Sequence, residues 1–368
     1  MSPPKRALPK KIGPYEIERQ LARGGMGEVV LATNTLLDRQ TALKRVLPER
    51  DDGDSEEGQE DAVQRFLREG KLLARLHHQG VCAVYDIVTY RGAYWMALEY
   101  VDGHDLRALL KHGALPPDIA LIIATSVADA LDHAHRNGVV HRDVKPANVM
   151  VSRRGEVKLL DFGIARATDV EALTATGMVV GTPTFMAPEV LRGMEADPRS
   201  DVYSLGATLY RCLAGRPLFK KAPPEVISQQ IIQGDIPPLR RVNPAVPRRI
   251  SRLVHKCLAL DPQKRFASAG ELHDALESER IRLGIDAGSP AERLVAFLYR
   301  DGHLSAEEAL TVVDPGVLEA SRTKEAPPAI RPQLPLAAGF VLAVLLVVVA
   351  VATWDTWLPT VDQWLVAP

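Results

Sequence analysis

Within "VVHRDVKPANVM", residues 139–150, an acid, a lysine and an amide lie close together: Asp143, Lys145 and Asn148. A carboxylate can accept or orient a hydroxyl proton. A lysine can neutralise charge growing on a transferred phosphoryl group, and an amide oxygen is a hard ligand for Mg²⁺. Together these are parts for phosphoryl transfer, where positioning and electrostatics supply most of the catalysis. The competing reading of the same residues is a surface loop closed by a salt bridge. Downstream, "VKLLDFG" places Asp161 after a short apolar strand and before Gly163, where a carboxylate can hold a second metal contact. An ordinary Asp-x-Gly turn would look the same.

Upstream, "LARGGMGEVVLA" carries Gly24, Gly25 and Gly27. Glycines let backbone amides approach phosphates without side-chain interference, although a simple hairpin turn uses them too. In "TALKRV", Lys44 lies inside an apolar strand and needs an anionic partner or an exposed face. Glu69 is one candidate partner; with ATP present, its phosphates are another.

These residues must be positioned by elements. Pro146 removes a backbone donor and disfavours helix at Lys145, so 143–148 is expected to be extended or looped. Val139-Val140 and Val149-Met150 are expected as small buried strands on either side. Residues 15–98 read as short β-branched strands, interrupted by one helix over about 61–76 with Phe66, Leu67, Leu72, Leu73 and Leu76 at helical spacing. The acidic "ERDDGDSEEGQED" before it reads as a solvated loop. From about residue 105 the chain turns helical: "PDIALIIATSVADALDHAHRNG" is expected to start with Asp118 as N-cap and stop at Gly138. Strands first and helices later is an α+β order.

At 368 residues the chain is long enough for two packed lobes, and 45 basic against 46 acidic residues give no global pull toward nucleic acid. Three scattered cysteines, Cys82, Cys212 and Cys257, argue against a disulfide framework. No Cys/His set has zinc spacing, so no structural metal is expected.

"GGMGEVV", "TALK", "HRDVKPAN", "DFG" and "APE" occur in the order of the protein-kinase signature set, followed by "DPQKR". The chain resembles the bacterial membrane-anchored serine/threonine kinases of the eukaryotic-like (Hanks) type over about 15–283. The resemblance implies a bilobal protein-kinase fold: a small lobe over 15–98, a hinge over 99–103 and a large lobe over 104–283. It implies ATP and Mg²⁺ as cofactors and protein Ser/Thr hydroxyls as acceptors. By position, Ala22, Gly24, Gly25, Gly27, Val29 and Ala42 would surround ATP, and Lys44 would hold its phosphates and pair with Glu69. Leu98 would be gatekeeper, and the Glu99–Val101 backbone would meet adenine. Asp143 would be the catalytic base or hydroxyl positioner, Lys145 would stabilise the γ-phosphate, and Asn148 and Asp161 would hold Mg²⁺. His141 would pack under Phe162, Glu189 would pair with Arg265, and Asp201 would tie the catalytic loop to the following helix. Thr182 would contact Asp143 and Lys145. Arg142, before the catalytic acid, implies activation by phosphate on the loop between Gly163 and Ala187, with Thr174 and Thr176 as the sites. The first glycine of the family's loop is Ala22 here, whose Cβ restricts φ. A kinase-fold scaffold without activity is the alternative, but such chains usually lose the Lys, the base or the metal-binding Asp, and all are present.

At the far end "LAAGFVLAVLLVVVAVATW", residues 336–354, is uncharged and as a helix would measure roughly 28 Å, near the hydrocarbon thickness of a bilayer. Arg322, Lys324 and Arg331 precede it and only acids follow, so the bulk of the chain is expected in the cytoplasm, anchored in the inner membrane. The expected organisation is completed by a disordered 1–14, a juxtamembrane linker with short helices over 284–335, and a tail over 355–368 too short for a folded sensor. The anchor is expected to favour self-association and autophosphorylation in trans. Helical stretch 289–310 could dock on the large lobe or a partner, or remain a spacer. Ser305 and Glu308 inside it have capping-box spacing.

Overall fold

A computed structural model of the chain describes residues 9–24, 27–46, 67–68, 70–162, 183–219, 222–285 and 289–323. The first lobe is a six-stranded antiparallel sheet of order β1-β2-β3-β4-β6-β5. Its strands are β1 (Lys11–Ile12), β2 (Tyr15–Gly24), β3 (Gly27–Asn34), β4 (Arg39–Val46), β5 (Val84–Tyr90) and β6 (Ala93–Glu99). Side chains alternate across a sheet, so register decides which residues share a face. Val30, Leu43 and Ala97 lie opposite one another and, with Ile12, Tyr15 and Trp95, form the small core of this lobe. The other face follows by the same register. Ala22 opposes Val29, Val29 opposes Lys44, and Ala42 opposes Leu98. Five residues assigned to ATP or its phosphates are thus brought to one surface by strand pairing alone.

Of the stretch expected to be disordered, 1–14, residues 1–8 lie outside the described ones, and 11–12 form a strand. Lys11 and Ile12 pair with Glu16 and Tyr15, and the Ile12 side chain is fully buried. One apolar side chain and a left-handed Gly13 suffice to fold this short hairpin back on the sheet. Of the helix expected over 61–76, residues 67–68 and 70–73 are helical; the helix ends at 73, and Leu76 is buried in the turn that follows.

The second lobe is helical around one large core. Its axis is α1 (Pro117–Arg136), apolar nearly all round, as a central helix must be. Pro116 rather than Asp118 occupies the N-cap, and Asp118 sits within the first turn. Pro117 at the first helical position explains the shift, because its missing N–H is not needed there. A three-stranded sheet, β7 (Gly103–Asp105), β8 (Val149–Ser152) and β9 (Val157–Leu159), lies at the top of this lobe. Val149-Met150 falls in β8 as expected, but Val139-Val140 is not a strand. Next come α2 (Pro188–Leu191), α3 (Pro198–Ala214), α4 (Arg248–Cys257) and α5 (Ala269–Arg282).

The stretch after α5 packs on the same core. It forms α6 (Pro290–Arg300), α7 (Ala306–Leu310) and α8 (Pro315–Thr323). Leu294, Val295, Leu298 and Ala309 are buried with the residues of α1 and α3. Both ends of the Ser305–Glu308 capping box are made. Glu308 also pairs with Arg153 of the β8–β9 turn. In that turn Gly155 has φ +78, and a Cβ there would come within 2.3 Å of the Ala291 carbonyl oxygen. Alanine at 155 is therefore expected to loosen this seam, read as faster cleavage within 286–323 by limiting protease while the rest of the lobe stays protected.

Among the described residues no helix is long and apolar enough to cross a membrane; 336–354 lies outside them.

Candidate active site

The loop 141–148 hangs from a buried carboxylate. Asp201, in the first turn of α3 and fully buried, accepts from the backbone N–H of His141 (2.7 Å) and of Arg142 (2.8 Å). The same carboxylate takes a third bond from His135 Nε2 at the end of α1 (2.9 Å). Three donors offset the cost of burying the charge. They also hold Arg142 at φ +66, a left-handed conformation that a non-glycine residue keeps only when its surroundings over-determine it. The sequence singled out Asp201 but not His135: "DHAHRNG" has two histidines, and only the fold shows which one faces the acid.

His141 is fully buried, its ring centroid 4.4 Å from that of Phe162. The Asp143 N–H donates to its Nδ1, which requires Nε2 to carry the proton and donate to the Leu160 carbonyl (2.9 Å). Burial pulls its pKa below the usual value, so the ring is neutral, and both nitrogens are used in holding the loop. It is a core group, not a base.

On this scaffold the three groups meet. Lys145 Nζ lies 2.6 Å from Asp143 Oδ2, and Asn148 Nδ2 donates to both Asp143 Oδ2 and its backbone carbonyl at 2.9 Å. Lys145 is extended and Pro146–Asn148 forms one tight turn, as the proline requires. Asn148 spends its N–H₂ group on Asp143, which leaves its carbonyl oxygen as a hard donor.

Across the cleft, Lys44 Nζ is 2.7 Å from Asp161 Oδ1. Its expected partner Glu69 lies outside the described residues, as do Gly25, Thr174, Thr176 and Thr182. Gly24 and Gly27 pair at the tip of the β2–β3 hairpin. Asp161 has φ +51, a conformation Asp tolerates better than most residues.

At the junction of the lobes, Glu99 is anchored twice. Its carboxylate accepts from the Ala83 N–H (3.1 Å) and pairs with Lys158 Nζ at 2.7 Å. Lys158 was not singled out from the sequence, where nothing distinguishes it from a surface lysine on a short strand. The Glu99 carbonyl takes the thiol of Cys82 at 3.5 Å, and Val101 is buried. Burial, then the charge of Glu99, raises the Cys82 pKa, so the thiol stays protonated and inert.

The arrangement supplies a carboxylate beside an ammonium on a rigid loop, a second lysine–carboxylate pair opposite, and hard oxygen donors between them. The protein kinase domain family matches residues 15–278. Serine/threonine-protein kinase PknH of Mycobacterium bovis is 37% identical over 271 residues, covering 72% of this chain and 44% of that protein. PknD of Mycobacterium tuberculosis is 39% identical over 274 residues, 72% of this chain and 40% of that one. PrkC of Bacillus subtilis is 34% identical over 274 residues, 73% and 41%. The matched stretch is thus less than half the length of these relatives. Among solved structures, Rad53 residues 1–466 in complex with AMP-PNP superposes with a TM-score of 0.58 at 23% identity, over 71% of this chain and 64% of that one, which speaks to the fold. With a β-rich lobe, a helical lobe and the Asp143 loop between them, the chain belongs to the protein kinase family.

Proposed function

We propose that this protein transfers the γ-phosphoryl group of ATP to serine and threonine hydroxyls of proteins. The observation that carries this reading is the Lys145–Asp143–Asn148 constellation on a loop fixed by Asp201. Asp143 orients the acceptor hydroxyl and takes its proton, while Lys145 offsets charge on the transferred group. Asn148 and Asp161 offer the oxygen donors that suit Mg²⁺, and would hold it. When bound, the metal neutralises charge on the β- and γ-phosphates. Lys44 and Asp161 neutralise each other here; with nucleotide bound, Lys44 would hold the phosphates and the Asp161 carboxylate would offer its oxygens to the cation.

Activation fits the same loop. Arg142 sits beside Asp143, its backbone fixed by Asp201. Phosphate on Thr174 or Thr176 would add about −2 charge and make charge-assisted hydrogen bonds to that guanidinium. In a labelled-ATP assay of the full chain with Mg²⁺, transfer and phosphate on these threonines are expected. Thr174→Ala/Thr176→Ala should lower transfer to an added protein substrate about tenfold or more, the worth of one such bond. Full activity in that double variant would remove the activation mechanism; no transfer by the wild type would remove the kinase reading.

The apolar run 336–354 supports a single membrane span with 1–335 in the cytoplasm, 355–368 outside, and self-association for phosphorylation in trans. Alkaline extraction of bacterial membranes should leave the full chain in the pellet. Release into the supernatant would sink the anchor.

A further inference from the structure

The seam between α6 and the top of the large lobe gathers histidines. His112 ends the short turn Leu110–His112, and Asp301 and His303 lie in the turn after α6, 189 residues away in sequence. His112 Nδ1 is 3.0 Å and His303 Nε2 is 3.1 Å from the same atom, Asp301 Oδ2. The ring of His104, in β7, lies 4.7 Å from that of His303, and its Nε2 is buried with no hydrogen-bond partner among the described residues. The turn is fixed by its own backbone: Asp301 N–H donates to Phe297, Gly302 N–H to Tyr299 and His303 N–H to Leu298. Gly302, at φ +78, turns the chain so that Asp301 and His303 face the same point.

Two imidazoles on one carboxylate oxygen, with a third alongside, make a poor hydrogen-bond network but a good ligand set. A tetrahedral zinc with bonds of about 2.0–2.1 Å holds its ligand atoms about 3.3 Å apart. Here two separations are 3.0 and 3.1 Å, and all three ligand atoms lie within 4.8 Å of one another. The His112 side chain is 61% exposed, which leaves an entry path.

We propose that His112 Nδ1, Asp301 Oδ2 and His303 Nε2 form a Zn²⁺ site that clamps the stretch 289–323 to the large lobe. Each imidazole stays neutral, its proton moving to the other ring nitrogen. The fourth position is left to water. No spacing motif announces the site, because its ligands come from two segments that meet only in the fold.

The test uses the full chain in detergent, stripped with a chelator and dialysed against micromolar Zn²⁺. One equivalent of zinc is expected by elemental analysis, with visible Co²⁺ bands of tetrahedral intensity after substitution, and a rise in Tm with zinc. His303→Ala and Asp301→Asn should weaken binding by about 100-fold or more and abolish the Tm rise, whereas His77→Ala, at an exposed histidine elsewhere, should do neither. His112→Gln removes a ligand from the exposed side without opening the core, so it separates loss of metal from loss of fold, the latter read by circular dichroism. Absence of zinc from the wild-type protein, or wild-type affinity in His112→Gln/His303→Ala, would overturn the proposal.

Discussion

Asp143→Asn is expected to lower phosphoryl transfer by about a thousandfold, within the range for removing a positioned general base. The asparagine keeps the size of the side chain and can still meet Lys145 and Asn148, so the loop should hold its shape. It loses the charge that draws the hydroxyl proton and compensates Lys145, 2.6 Å away. The Asp201 anchor does not involve the Asp143 side chain, and the Lys44–Asp161 pair lies across the cleft. Nucleotide affinity should therefore change little. The measurement is kcat against a protein substrate beside a fluorescence titration with a nucleotide analogue. A kcat within tenfold of wild type would remove Asp143 from the chemistry. Loss of nucleotide binding together with kcat would point to collapse of the loop instead.

The second large effect is on stability. Arg265 and Glu189 form a two-pronged pair, with both Nη–Oε distances at 2.7 Å and the guanidinium side chain 0% exposed. Arg265 also donates to the carbonyls of Ala259 and Arg199, and Ser200 Oγ donates to Glu189 at 2.8 Å. Arg265→Ala strands the Glu189 carboxylate in the core, which should cost about 3–5 kcal/mol. For a lobe of this size that is a fall in Tm of roughly 10 °C. Replacing both partners, as Glu189→Gln/Arg265→Met, should recover part of the loss, because no charge is then left unpaired. Thermal unfolding of the three proteins decides the matter; a loss under about 1 kcal/mol in Arg265→Ala would mean the pair behaves as a solvated one. The sign with pH follows. Burial alone would raise the Glu189 carboxyl, but the hydrogen bonds and charge of Arg265 overrule it and hold the pKa below the usual value. The pair's contribution is thus complete above the unfolded carboxyl pKa and is lost as pH falls through the depressed folded value.

Much of the site was legible because it is local. Asp143, Lys145 and Asn148 lie within one loop, and Pro146 with the flanking Val149 dictates its shape. The small sheet was legible too, since alternation in β3 and β4 separates Leu43 from Lys44. Partners chosen across the fold were not. Lys44 pairs with Asp161 of the large lobe, a contact that the strand pattern does not announce, since a lysine in a strand says only that it needs an anion; Glu69, the partner expected beside the ATP phosphates, lies outside the described residues. The run "AERLVAFLYR" shows that one face of a helix must be covered, without saying by what. Only packing shows that the cover is the lobe itself. The anchoring of Glu99 by Lys158, and of Asp201 by His135, likewise needed three-dimensional neighbours.

The seam at Gly155 bears on modularity. The family match stops at residue 278, yet the folded unit continues to 323. Leu294, Val295 and Leu298 fill the core they share with α1 and α3, and Gly155 has lost its Cβ to the backbone of Ala291. A catalytic domain exchanged at the family boundary would leave that core open on one side. The unit that must be exchanged intact is larger than the unit recognised by likeness: its boundary lies beyond 278, where the packing of α6–α8 on the large lobe is complete.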